Sequence, residues 1–284
     1  MTAHDSGPEA PPTRMHGTRE ADTGGPVQTR GRMRLFWNVL FAVIRGIAAL
    51  AHNVYATFGL FLVAGAALAI VGTYAFAEFA GHVSSGATQA FDEAALRWLA
   101  RYHSDQLEPV MLEITFLGTG SVVMTIVAVS AMFLWLSNHR YSAALLLVAS
   151  AGGILLNNLL KVGFGRPRPQ IFEWSTDVVS WSFPSGHAMS AAVVYGTVAY
   201  LAARLQRRLV HRVLTLIAAA IMILLISLSR LYLGVHYPSD VLAGVIIGLA
   251  WAGFCMATLE AFQVYARGRE PEVARHEEPA PALE

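Results

Sequence analysis

The chain has 284 residues, 55% of them hydrophobic and 14% charged, with a mean hydropathy of +0.49. That is too little polar surface for a water-soluble domain and too apolar a composition for a disordered chain. A net charge of +1, from 20 Lys+Arg against 19 Asp+Glu, provides no field for a polyanion, so no nucleic-acid partner is expected.

Residues 1–34 are polar and rich in Pro, Gly, Thr and Arg. They lack the apolar run of a secretory leader and are expected to form a disordered cytoplasmic tail. Residues 35–56 are apolar but interrupted by Asn38, Arg45 and His52, with Trp37, Leu40, Val43, Ile44 and Ile47 at helical spacing. This pattern predicts an amphipathic helix lying in the membrane interface.

A helix needs about 20 apolar residues to cross about 30 Å of hydrocarbon. Six stretches qualify within 57–260, at roughly 57–77, 116–136, 142–160, 187–203, 210–228 and 241–259. The runs are too long and too little alternating for barrel strands, so the fold is expected to be all-α, a polytopic membrane protein built as a six-transmembrane-helix bundle. Between the first two spans, Phe91–Leu99 reads as a short amphipathic helix. Residues 261–284 read as a second cytoplasmic tail, and the single cysteine, Cys255, excludes an intramolecular disulfide.

Loop charge orients the bundle. Arg140, the group Arg204, Arg207, Arg208 and Arg212, and the arginines flanking the first and last spans all fall on one side of a six-span layout. That side is expected to be cytoplasmic, with both termini there, in a multi-pass protein of the cell membrane. The loops 78–115, 161–186 and 229–240 then face outward.

Three clusters occupy those outward loops: Lys161 through Pro169, Ser182 through His187, and Ser229 through Asp240. Lys161, Arg168 and Arg230 are three cations suited to a phosphate, Arg by a planar fork and Lys by a point charge. Lys161 is also the only lysine among the 20 cations. Pro184-Ser185-Gly186 precedes a span, so its amides belong to a helix N-terminus, which binds anions, and the Ser185 hydroxyl adds a donor. His187 and His236 exchange protons near neutral pH. Asp240 follows His236 by four residues and turns back toward it if the last span starts by Pro238. The assembled picture is a phosphate pocket with a nucleophilic histidine, a carboxylate that orients it and a separate acid. Singly, each residue has a plainer reading, such as a snorkelling cation, a turn or a dipole-favoured carboxylate. Jointly, on one face, those readings require a coincidence. No metal-ligand spacing appears, and no metal or other cofactor is expected.

These residues resemble the type 2 phosphatidic acid phosphatases, in their integral-membrane bacterial branch. The family pattern is Lys, six residues, Arg-Pro; Pro-Ser-Gly-His; and Ser-Arg, five residues, His, three residues, Asp. Lys161 with Arg168-Pro169, Pro184 to His187, and Ser229-Arg230 with His236 and Asp240 match it throughout. The resemblance, close over 142–260, implies a core like that of acid phosphatases and vanadium haloperoxidases. It also implies a mechanism. His236 attacks phosphorus and forms a phosphohistidine, and Asp240 orients it. His187 serves as acid and then base. Lys161, Arg168, Arg230, Ser185 and the Gly186 amide hold the phosphoryl oxygens. The implied substrate is a lipid phosphate or diphosphate entering from the bilayer. Undecaprenyl diphosphate comes first, with phosphatidic acid and phosphatidylglycerol phosphate as alternatives. A phosphotransferase using the same intermediate and a non-catalytic anionic-lipid binder are the rival classes. Outside the strict pattern, Arg166 is expected to add potential at the mouth or to snorkel. Asn157 and Asn158 are expected to support Lys161 or to bond helix to helix, and Trp174 and Trp181 to join an interfacial aromatic belt.

Overall fold

The computed structural model describes residues 54–171 and 180–268, all within one compact unit, Leu50–Glu284. The tail expected at 1–34, nearly all of the interfacial helix expected at 35–56, and Trp174 lie outside the described residues. Within them the regular structure is helical: α1 (Val54–Ser84), α2 (Gln89–Ala100), α3 (Leu107–Phe116), α4 (Gly120–Leu136), α5 (Arg140–Phe164), α6 (Gly186–Leu205), α7 (Leu209–Tyr232) and α8 (Pro238–Gly268). Five of these, α1 and α5 to α8, contain stretches long and apolar enough to cross a membrane. The protein is a multi-pass membrane protein.

The span expected at 116–136 begins at a break between two helices. In place of one straight helix, α3 and α4 follow one another there, bent by 44° at a break of a few residues, and only taken together are they long and apolar enough for a sixth crossing. Hydropathy is continuous over the break, but the backbone is not. Thr119 is extended and its Oγ1 turns back to donate to the Phe116 carbonyl at 2.7 Å. α8 also runs on to Gly268, past the boundary expected at 260. Arg204 of α6 reaches α8 there, with an ion pair to Glu260 at 2.8 Å and, within the extra length, a hydrogen bond to Gln263 at 2.8 Å.

Lipid tails are as apolar as leucine, so the helices are held by close packing and interhelical polar contacts rather than by exclusion of water. α4, α5, α6 and α8 share a core that includes Val127, Leu146, Ala149, Val193 and Val194. A second core, nearer the site, joins Phe76 and Ala80 of α1 to Phe183, Met189, Ala243 and Ile247. α8 approaches the start of α6 so closely that a Cβ on Gly244 would stand 2.7 Å from the Ser185 carbonyl oxygen. By contrast, α7 leaves Val210, Leu214, Ile217, Ile221, Leu224 and Leu228 exposed along one stripe at helical spacing, the face that lipid covers. Because consecutive long helices alternate in direction, the C-terminal ends of α1, α5 and α7 and the N-terminal ends of α6 and α8 meet at one end of the bundle.

Candidate active site

Lys161 lies in the last turn of α5 and is buried. Its ammonium donates to the Trp181 carbonyl at 2.6 Å and to Ser180 Oγ at 3.2 Å. Trp181 thus serves the site through its backbone, while its ring is half exposed. Asn157, one turn back, donates to Met189 Sδ at 3.4 Å and so bonds α5 to α6 rather than supporting Lys161; Asn158 is exposed.

Arg168 comes next. Its Nε donates to the Ser180 carbonyl at 2.7 Å and its Nη1 to the Val235 carbonyl at 2.6 Å. The same Nη1 lies 3.2 Å from His236 Nε2, which places a guanidinium directly beside the imidazole.

The segment 182–187 then turns into α6. Ser182 is buried; its hydroxyl donates to Asp240 Oδ2 and lies 3.4 Å from His236 Nδ1. The Ser185 amide donates to the Asp240 carbonyl at 3.0 Å, and the Ser185 hydroxyl is buried without a hydrogen-bond partner. Gly186 opens the helix. His187 is in its first turn, within electrostatic reach of Arg230, His236, Lys161 and Arg168.

Arg230 ends α7 and is only 3% exposed. Its Nη1 donates to Thr115 Oγ1 at 2.7 Å, while its Nε has no partner. The bend between α3 and α4 therefore brings Thr115 to Arg230. It also brings Gly118 against the site, where a Cβ would stand 3.0 Å from His187 Cδ2 and 2.7 Å from Ile226 Cγ2.

His236 precedes α8 and is 1% exposed. Its Nδ1 lies 3.6 Å from Asp240 Oδ2. Burial pushes the imidazole down to about 3; Asp240 pulls it back up, and Arg168 and Arg230 press it further down. The ring is therefore neutral at physiological pH, and one nitrogen is a free base. Asp240 Oδ2 also accepts the Tyr237 amide at 2.9 Å, a third-position carboxylate reaching back over the start of α8 as in a capping box. One carboxylate thus both caps the start of α8 and faces the imidazole.

Every residue expected at the site from its sequence spacing lies at this one end of the bundle. Arg166 departs from its expected role at the mouth. It is largely buried and ion-paired to both Asp240, at 2.6 Å, and Asp92, at 2.9 Å. Ser182, Thr115 and Asp92 join the site without a motif of their own to mark them. Ser182 stands inside the second of the three clusters, and Asp92 sits in the helix expected at 91–99, on the side carrying the buried Leu96. Among the described residues no three His, Cys, Asp or Glu side chains are grouped to hold a metal ion.

Residues 142–263 match the family model described as the PAP2 superfamily. The chain is 34% identical over 175 residues to phosphatidylglycerophosphatase B of Bacillus subtilis, a match spanning 61% of this chain and 86% of that protein. The chain belongs to the PAP2 superfamily. It also resembles the crystal structure of a transmembrane PAP2-type phosphatidylglycerolphosphate phosphatase from Bacillus subtilis. That likeness has a TM-score of 0.59 and 30% identity, and covers 70% of this chain and 95% of the other. A more distant relative, the undecaprenyl-diphosphatase of Sulfolobus acidocaldarius, is 29% identical over 140 residues, or 48% of this chain and 63% of that protein. This PAP2 chain is thus a membrane-embedded phosphatase. The matched family region begins at 142, so α2, α3 and α4, with Asp92 and Thr115, are contributions from outside it.

Proposed function

We propose that the chain hydrolyses the phosphate or diphosphate headgroup of a lipid through a phosphohistidine. The observation that carries this reading is His236 held between Asp240 on its Nδ1 side and Arg168 on its Nε2 side, at 3.6 and 3.2 Å. An Nδ1–H on the side of the Ser182 hydroxyl and the Asp240 carboxylate leaves the Nε2 lone pair on the side of the cations, where a phosphorus would sit. Two buried donors there, Ser185 Oγ and Arg230 Nε, lack protein partners and suit phosphoryl oxygens.

In the first step Nε2 bonds to phosphorus and the phosphorus–oxygen bond to the lipid breaks. His187 gives its proton to the leaving oxygen. In the second step water attacks the phosphohistidine, His187 takes a proton from that water, and inorganic phosphate leaves with His236 restored. Asp240 stabilises the positive charge on the ring throughout. Lys161, Arg168, Arg230, Ser185 and the Gly186 amide offset the charge on the equatorial oxygens. Three cations supply the charge that divalent ions supply elsewhere, so turnover is expected to be independent of metal.

Undecaprenyl diphosphate and phosphatidylglycerol phosphate head the candidate substrates. The first follows from the bacterial branch that the motifs resemble, and the second is favoured by the relative of which the chain covers 86%. Phosphatidic acid follows. In this reading the site faces the extracytoplasmic side of the cell membrane, because Arg140, Arg204, Arg207, Arg208 and Arg212 collect at the opposite end of the bundle.

The test is phosphate release by purified protein, with excess chelator, from each of these lipids. Release that is abolished in His236→Ala supports the reading, and substantial residual turnover in that variant removes His236 as nucleophile. Phosphate appearing on an added lipid or sugar acceptor instead of in solution makes the enzyme a phosphotransferase. Reporter fusions that put residues 206–208 outside the cytoplasm would reverse the orientation.

A further inference from the structure

Behind the imidazole, on the side away from the phosphate cations, lies a second charged network that the mechanism above does not use. Its centre is Asp92 of α2, a carboxylate with 0% exposure. A buried carboxylate is strongly unfavourable unless it is paired and hydrogen-bonded. Asp92 is fully provided for. Oδ1 accepts the Ser239 amide at 3.0 Å; Oδ2 accepts the Ser239 hydroxyl at 2.6 Å, Arg166 Nη2 at 2.9 Å and Thr88 Oγ1 at 3.0 Å.

Arg166 is engaged in the same way. Nη2 also donates to Gln89 Oε1 at 3.0 Å. Nη1 donates to Ser239 Oγ at 2.7 Å and to Asp240 Oδ1 at 2.6 Å. The guanidinium lies over the Tyr237 ring, 4.2 Å from its centroid. Both terminal nitrogens are thus directed at protein acceptors.

The geometry at Asp240 gives this network a function. Its two oxygens are divided: Oδ1 is held by Arg166, and Oδ2 receives Ser182 and the Tyr237 amide and faces His236 Nδ1. Rotation of the carboxylate away from the imidazole would break the bond from Arg166. Resting on the reading of His236 as nucleophile and Asp240 as its orienting carboxylate, we infer that Arg166 and Asp92 are positioning residues: Asp92 fixes the Arg166 guanidinium, and Arg166 fixes the Asp240 carboxylate against His236. α2, in the loop that sequence motifs left without a function, thereby becomes part of the catalytic apparatus. The charges also sum sensibly. One guanidinium between two carboxylates keeps a net negative charge behind the ring that becomes cationic as the phosphohistidine forms.

The experiment uses the full chain in detergent, with a lipid phosphate that the wild type turns over and with inorganic phosphate as competing product. Misplacing a catalytic group by about 1 Å lowers rate by about 10²-fold, so Arg166→Gln is expected to lower kcat by about 10²-fold and Asp92→Asn by about 10-fold. KM and the inhibition constant of phosphate stay within about 3-fold in both, because the phosphate-side cations are untouched. Adding Asp92→Asn to Arg166→Gln lowers kcat by less than about 2-fold more, since the two act through one carboxylate, and Arg166→Lys recovers part of the loss. Losses that multiply in the double variant, native kcat in Asp92→Asn, or a matching loss of phosphate affinity would overturn the inference. If Asp92→Asn is not monodisperse, Gln89→Leu and Arg166→Lys decide. A drop confined to kcat supports the network and unchanged kcat overturns it. Failure here is separable from failure of the catalytic reading, which shows as an inactive wild type or an active His236→Ala.

Discussion

The two ends of the bundle both contain buried or half-buried arginines, and they use them differently. At the end away from the site, Arg204 pairs with Glu260 and Gln263 and lies over the Tyr200 ring; Tyr200 donates to Glu260. The cation there is ion-paired with a carboxylate, although Arg204 Nη1 makes no hydrogen bond, and α6 is tied to α8. At the site end, the hydrogen bonds of Lys161, Arg168 and Arg230 are directed at carbonyls, hydroxyls and an imidazole rather than at carboxylates. Arg230 Nε and Ser185 Oγ are left over. A matched pair holds helices together. Buried donors without acceptors are costly, and in the proposed reading a phosphate headgroup would satisfy these two. Arg166 shows that the same contrast operates within one loop: two residues before Arg168, it is matched to carboxylates on both sides.

The sharpest way to break this comparison is to remove one of the surplus cations. Arg230→Ala is expected to lower kcat by about 10²–10³-fold, the scale for one donor to a developing charge. Vanadate, which mimics the transferring phosphoryl group, should lose affinity in parallel. An Arg230→Ala enzyme with native kcat and native vanadate affinity would make Arg230 another helix tie to Thr115. A smaller effect is expected from Lys161→Arg, about 10-fold in kcat/KM. The longer planar head cannot occupy a place where an ammonium lies 2.6 Å from the Trp181 carbonyl. Unchanged kinetics would return the only lysine to an interfacial cation.

Binding and holding residues also differ in how legible they are in the sequence. That Lys161, Arg168, Ser185, Arg230 and His236 gather at one end can be read there, because each stands at the end of an apolar run. The partners that hold them cannot. Thr115 is 115 residues before Arg230, and Asp92 is 74 before Arg166. Pairing across such separations leaves no local pattern. Arg166 looks like a rim charge in the sequence, which shows the cation but not the two carboxylates that meet it. The break between α3 and α4 is invisible to hydropathy, which counts composition and not direction. Gly118-Thr119-Gly120 is its one sign, a glycine pair within an apolar run.

pH separates the ends in another way. His236 is held neutral down to about 3, whereas the unfolded imidazole titrates near its ordinary 6.5. Between those values the unfolded chain binds the extra proton. The stability tied to a neutral His236 is thus complete above about 6.5 and is lost as pH falls toward about 3, by at most about 1.4 kcal/mol per pH unit from one group. Thermal midpoints in detergent should fall from pH 7 to pH 4, and His236→Gln should flatten part of that slope. An identical slope in the variant would mean that His236 takes up its proton in the folded state.

The smallest expected effect is at the far end, and its smallness is the point. Glu260→Gln removes the carboxylate from Arg204 and Tyr200 but leaves a hydrogen-bonding amide. The Arg204 and Glu260 side chains are 30% and 22% exposed, so the pair is partly screened and is worth about 0–1 kcal/mol. For a chain of this size that is a fall of at most about 2–4 °C in the midpoint. kcat and KM should remain within about 2-fold, since nothing at that end touches the imidazoles. A loss of kcat as large as that of Lys161→Arg would mean that the α6–α8 tie sets the approach of Gly244 to Ser185 at the other end of the same two helices. The matched end would then share in catalysis, and the division between holding and binding arginines would fail.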